Sequence, residues 1–204
     1  MNGEPPSVDT SGAARLVTAA TPRRPVEERL RAAGLEIVGC CEQLSARRDL
    51  MDGSPLLQDF SPAEADVLGQ AMLRVRARAG QTLMAEDDPS DWMLLLLSGT
   101  VDVGKRKVGS EVQRPGPGEA ARVAVVKTGA VLGEMSMLDG EPRYASVWAL
   151  SDLEAAVLTR QAVARLITEH PAVGAKLLVK ITQLLAQRLR NTSNQLLKRL
   201  QGAA

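Results

Sequence analysis

Between Gly80 and Leu158 the sequence runs in short apolar stretches, each broken after a few residues by glycine, proline or a polar cluster such as Asp87-Asp88-Pro89 or Ser98-Gly99. Gln81–Glu86, Trp92–Leu97, Thr100–Lys107, Val123–Lys127, Ser146–Leu150 and Asp152–Leu158 all read as strands bounded by turn signals. Strands at this spacing, joined by turns, close into a barrel or a two-sheet roll. Within this stretch Gly109–Ala121, carrying Pro115-Gly116-Pro117-Gly118, reads as a long flexible hairpin loop.

Helical patterns flank the β-rich middle. In Ser61-Pro62-Ala63-Glu64 a serine cap, a proline at the first helical position and a glutamate three after the cap make a capping box. It opens a helix to about Leu73, after which Arg74–Arg78 alternates as a strand. Upstream, apolar residues recur at Val26, Leu30, Ala33, Ile37, Cys41 and Leu44, a helical spacing that predicts an N-terminal helical extension over residues 25–55. Gly34 and Gly39 weaken it, each costing roughly 1 kcal/mol inside a helix. Residues 1–24 are rich in Gly, Pro, Ser, Thr and Ala, show no period, and read as a disordered tail.

From Arg160 the pattern is helical to the end, with a short helix to Glu169, a break at His170-Pro171 and a long helix over 171–200. Leu177, Leu178, Ile181, Leu184, Leu185, Leu189, Leu196 and Leu200 give that last helix one apolar stripe. With no later segment to cover it, the stripe predicts a homodimer through this helix. The expected architecture is mainly β with flanking helices, a barrel or a jelly-roll-like β-roll over 56–204 that includes the long C-terminal helix.

Composition removes several function classes. Hydrophobic residues make up 45% of the chain, enough for a real core, but aromatics only 2%. The core must then be aliphatic, and the low share argues against a base-stacking surface for single-stranded nucleic acid. Lys+Arg 25 against Asp+Glu 24 lacks the basic excess of a nucleic-acid binder. No apolar run approaches the ~20 residues that span a bilayer, and the N-terminus has no signal-peptide pattern. Adjacent Cys40 and Cys41 read as reduced thiols of a cytoplasmic protein. His170 is the only histidine, which excludes a multi-histidine metal site; Glu86, Asp87, Asp88 and Asp91 lack the spacing of a calcium loop. There is no P-loop, no dinucleotide-binding glycine motif and no nucleophile–base constellation. The expectation is a binding protein without metal or cofactor, not an enzyme.

One segment carries chemistry: Gly133-Glu134-Met135-Ser136-Met137-Leu138-Asp139-Gly140-Glu141-Pro142-Arg143-Tyr144-Ala145-Ser146-Val147. It reads as a glycine after a strand, one short helical turn, and an arginine leading into the next strand. Unpaired amides at the turn and a bidentate guanidinium suit a phosphate, while a carboxylate would repel it but accept a hydrogen bond from a sugar hydroxyl. Together they call for a ligand with a phosphate at one end and a free hydroxyl nearby.

The same residues resemble the phosphate-binding cassette of cyclic-nucleotide-binding domains, the family of the catabolite activator protein and of the regulatory subunits of cyclic-AMP-dependent kinase. Leu97-Ser98-Gly99-Thr100-Val101 matches that family's turn between early strands, and the resemblance runs from near Phe60 to the terminal helix. It implies that Arg143 pairs with the cyclic phosphate and that Glu134 accepts from the ribose 2′-hydroxyl beside the Gly133 backbone. Met135, Ser136, Tyr144 and Ala145 would complete the contacts at the sugar-phosphate. In the terminal helix, Gln187–Asn194 resembles the segment in which a Thr-Ser pair contacts adenine, which places Thr192 and Ser193 at the base.

The implied regulatory ligand is cyclic AMP in preference to cyclic GMP, and the implied output is a shift of the terminal helix toward an unknown protein partner. Tyr144 departs from the Ser, Thr or Ala usual at its position, and would either stack on the base or crowd the pocket. The sequence shows no helix-turn-helix after the long helix, so direct DNA binding is not expected. The alternatives are a scaffold that has kept the fold without the ligand, or a pocket for another ligand such as a cyclic dinucleotide.

Overall fold

Residues 25–110, 112 and 116–202 are described by a computed structural model; the tail expected over 1–24 lies outside the described residues, as does part of the loop around Pro115. Two antiparallel sheets make up the middle of the chain. The first has the order β1 (Glu36–Cys40), β2 (Leu73–Ala77), β9 (Leu153–Thr159), β4 (Trp92–Ser98) and β7 (Val131–Leu132). The second has the order β3 (Thr82–Met84), β8 (Ser146–Ala149), β5 (Thr100–Lys105) and β6 (Ala121–Lys127). The β-roll expected from the spacing of turns is present, with strands shorter at several ends than the apolar runs suggest.

Strand β4 organises the packing. Its side chains alternate, yet every position from Trp92 to Leu97 is buried. Trp92, Leu94 and Leu96 enter the core between the sheets, with Val75, Leu83, Val101, Leu132, Val147 and Val157. Met93, Leu95 and Leu97 point the other way, into a second core under the helices. Each fully buried leucine here contributes roughly 1.5–3 kcal/mol. Opposite β4, the register sets Leu95 against Ala156 and Leu96 against Ala155, so small residues on β9 face large ones on β4. That alternation is how a chain poor in aromatics fills its interior.

Six helices flank the sheets: α1 (Val26–Ala32), which packs against the inter-sheet core, and α2 (Arg48–Gly53), α3 (Pro62–Gln70), α4 (Glu134–Asp139), α5 (Arg160–Glu169) and α6 (Pro171–Gly202), which cover the outer face of the first sheet. The capping box of α3 is formed, with the Glu64 amide donating to Ser61 Oγ at 3.3 Å and the Ser61 amide donating to Glu64 Oε2 at 2.8 Å. Thr159 caps α5 by accepting from the Ala162 amide at 3.0 Å.

The continuous N-terminal helix expected from Val26 to Leu50 is not what forms. Helix α1 ends at Ala32, Gly34 turns the chain at φ 79°, and β1 joins the first sheet as its edge strand, with a register shift between Ile37 and Gly39. A 3-10 turn over Leu44–Ala46 and α2 follow. The helical spacing misled because its residues serve two cores. Leu30 and Ile37 pack with the inter-sheet core, whereas Cys41 and Leu44 belong to the helix-side core. No single helix face reaches both.

The first part of α6 carries its buried residues. Val173, Leu177 and Ile181 are buried, and two lysines one turn apart clamp the helix to α3 and the segment before it. Lys176 Nζ donates to both Glu64 carboxylate oxygens at 2.6 Å and to the Asp59 carbonyl at 3.0 Å, while Lys180 pairs with the Asp59 carboxylate. Beyond this clamp Leu189, Leu196 and Leu200 are exposed.

The Lys176 hydrogen bonds, with the Ser61 cap, hold the Glu64 carboxyl down at about 2, against 4.5 ordinarily. A carboxyl depressed in the folded state adds stability above its unfolded value and loses it as pH falls between the two. Thermal melts from pH 6 to pH 2 should therefore show Glu64→Gln melting below wild type at pH 6. Between pH 4.5 and 2 the melting temperature of the variant should fall less steeply than that of wild type.

Candidate ligand-binding site

The cassette hangs between two left-handed glycines. Gly133, at φ 76°, follows β7 and caps α4; Gly140, at φ 82°, ends it. At Gly133 a side chain is excluded twice, by the backbone and by space. A Cβ there would strike the Arg143 guanidinium and come within 2.8 Å of Met84 Cε. The last carbonyls of α4 are taken up by Arg160 at the start of α5, whose Nε donates to Met137 O at 2.6 Å and Nη2 to Ser136 O at 3.0 Å.

Arg143 is almost wholly enclosed, 3% exposed. Nη1 donates to the Gly133 carbonyl at 2.8 Å, Nη2 donates to the Trp92 carbonyl at 2.5 Å, and the guanidinium lies 4.5 Å from the centre of the Trp92 ring. Nε has no hydrogen-bond partner among the described residues. No carboxylate forms an ion pair with it among those residues, although the field of Glu134 reaches it. Burial is the largest influence and draws its pKa down to about 10, against the opposing pull of Glu134. A buried cation held by carbonyl dipoles and a ring face keeps an electrostatic preference for a nearby anion.

Glu134 is 2% exposed. Its Oε1 accepts from Arg188 Nη1, and Arg188 Nη2 donates to the Val131 carbonyl at 2.5 Å. The terminal helix therefore reaches back into the cassette beyond its lysine clamp. Arg143 and Glu134 are two buried charges toward opposite ends of a segment whose intervening residues are partly exposed.

The remaining expected residues divide. Ser136 is buried, with Oγ donating to the Pro142 carbonyl at 3.4 Å, and Ala145 is half-buried. Met135 is 46% exposed. Tyr144 is 60% exposed; Lys105 Nζ lies 3.7 Å from its ring centre and donates to its carbonyl at 2.9 Å. Lys105 thus occupies a face of the aromatic ring. Thr192 and Ser193 are exposed on α6, one turn beyond Arg188.

Sequence reasoning missed Arg188, Trp92 and Arg160. A signal existed for the first, which lies four residues before Thr192 on the same helix face. None existed for Trp92, whose contribution is a carbonyl and a ring face.

The sequence profile of the cyclic nucleotide-binding domain matches residues 74–170, a segment that holds the whole cassette. A solved cyclic nucleotide-binding domain from Methylobacillus flagellatus is 32% identical, with a TM-score of 0.68, over 81% of this chain and 89% of its own. The chain belongs to the cyclic nucleotide-binding domain family. Among curated relatives, a cAMP-dependent protein kinase regulatory subunit of Aspergillus niger is 33% identical over 140 residues, 62% of this chain and 31% of that protein. A CRP-like cAMP-activated global transcriptional regulator of Mycobacterium tuberculosis is 26% identical over 148 residues, 72% of this chain and 61% of the regulator. This cyclic nucleotide-binding domain thus spans less than two thirds of the length of either relative. Among the described residues no helix is long and apolar enough to cross a membrane.

Gly133→Ala tests the cassette's backbone. The left-handed conformation and the approach of Arg143 should together cost about 1–3 kcal/mol, read as a lower urea midpoint with unchanged slope.

Proposed function

We propose that this domain reversibly binds a cyclic mononucleotide, cyclic AMP in preference to cyclic GMP, and signals through α6. The observation that carries the reading is the enclosed guanidinium of Arg143, charged, bound to two carbonyls and paired with no carboxylate among the described residues. A cyclic phosphate brings the missing negative charge. The ribose 2′-hydroxyl donates to Glu134, the partner now held by Arg188. Because Arg188 rides on α6, a ligand at Glu134 must share or displace it, and either event moves the helix. Residues Gly133, Met135, Ser136, Tyr144 and Ala145 line the sugar-phosphate, and Thr192 and Ser193 meet the base once α6 has moved. The names of the kinase subunit and of the mycobacterial regulator, which specify cAMP, support the preference for adenine. Binding and relay need no catalytic group, and the domain works as a sensor, not as an enzyme.

The exposed Leu189, Leu196 and Leu200 recur along one side of α6 and are the surface for output, through a second copy of the chain or another protein. Sedimentation should show a dimer that Leu196→Glu dissociates without lowering the melting temperature.

Isothermal titration of unfolded and refolded protein tests the ligand. Cyclic AMP should bind saturably and more tightly than cyclic GMP. A charge-assisted hydrogen bond contributes about 1.5–3 kcal/mol, so Arg143→Ala should weaken binding roughly 10- to 100-fold. If the variant binds cyclic AMP as tightly as wild type, the assigned role is wrong.

A further inference from the structure

Helix α1 and strand β1 precede the segment that matches the family, residues 74–170, yet they are built into the floor of the cassette. Leu30 and Leu35 are 0% and 2% exposed and lie in the same core cluster as Trp92, Met84 and Leu132. On the same helix as Leu30, Arg29 forms an ion pair with Asp91, and both side chains are largely covered.

Asp91 stands at a junction. Its carbonyl accepts the Arg160 amide at 2.8 Å, and the Arg160 side chain caps the last carbonyls of α4. The next residue, Trp92, gives its carbonyl and its ring to Arg143. Both ends of the cassette thus depend on where Asp91 and Trp92 sit, and Arg29 is the side chain of α1 that holds them. A cavity of 390 Å³ lined by Arg29 and Ala32 of α1, by Ala33 just after it, and by Leu83, Met84 and Trp92 lies at the same contact. The junction therefore has room to relax when the ion pair is lost.

We infer that α1 is a positioning element for the phosphate site: Arg29 fixes Asp91 and Trp92, and through them the guanidinium of Arg143, so that the N-terminal segment sets nucleotide affinity. The inference rests on the reading of Arg143 as the phosphate ligand. Arg29 touches no part of the bound nucleotide and acts only through these neighbours.

Two readouts on the full chain separate this inference from the reading beneath it. The first is hydrogen exchange over 133–145 without nucleotide, in wild type, Arg29→Ala and Arg29→Lys; the second is titration with cyclic AMP. Arg29→Ala should speed exchange across the cassette and raise the Kd roughly three- to tenfold, the range of pair couplings inside one network. Arg29→Lys should restore most of both. In an Arg143→Lys background Arg29→Ala should weaken binding less than twofold, since the group it positions has changed. If Arg29→Ala leaves exchange and Kd at wild-type values, or weakens binding equally in both backgrounds, the inference is overturned. Should wild type bind no cyclic AMP, the proposed function falls and exchange alone decides: a cassette unchanged by Arg29→Ala overturns the inference, and a loosened one supports it. Asp91→Asn takes the place of Arg29→Ala if that variant does not fold.

Discussion

Strand β4 must be covered on both faces, and the rest of the molecule is arranged to do it. A strand with one apolar face needs one partner layer; Trp92–Leu97 offers no polar position and needs two. The second sheet supplies one layer and the helices supply the other. Strand β4 lies between β9 and β7, and the residue before its start, Asp91, accepts the Arg160 amide through its carbonyl. Trp92 is at that start. Its carbonyl, left over where the strand begins, becomes an acceptor for Arg143, and the cassette is thereby attached to the best-buried element of the fold.

Enclosing Arg143 and Glu134 is expensive, since a buried charge without a matched partner loses its hydration. Each is partly satisfied, and in a different currency of interaction. Arg143 has carbonyl dipoles and a ring face, whereas Glu134 has a full charge delivered from another element. That difference separates the two ends of the site. The Arg143 end is held by the body of the fold. The Glu134 end is closed by Arg188, whose helix is exposed beyond it.

Much of this was legible in the sequence. The turn-punctuated runs marked the strands, Ser61-Pro62-Ala63-Glu64 marked α3, and the segment from Gly133 to Val147 marked the cassette. These signals are local, each set by residues a few positions apart. What escaped notice depends on pairing across the chain. Ile37 shares a helical period with Leu30, but β1 forms because β2 offers it an edge at Val75. Arg188 and Glu134 are 54 residues apart, and the position of Arg188 beside Thr192 marks the helix face without naming its partner. Tyr144 raised a question of crowding from its own sequence context alone; its contact with Lys105 comes from a strand 39 residues away and is invisible there.

The uneven anchoring of α6 has a geometric consequence. Ile181 is the last fully buried residue of the helix, and from there to Gly202 an α-helix extends about 30 Å. A helix held at one end acts as a lever. A tilt of about 10° around Ile181 would displace Arg188, roughly 10 Å along, by only about 2 Å, while the far end would travel about 5 Å. The amplification comes from length alone and needs no change in the helix itself. A tilt of that size would carry the exposed leucines by a substantial part of a helix radius.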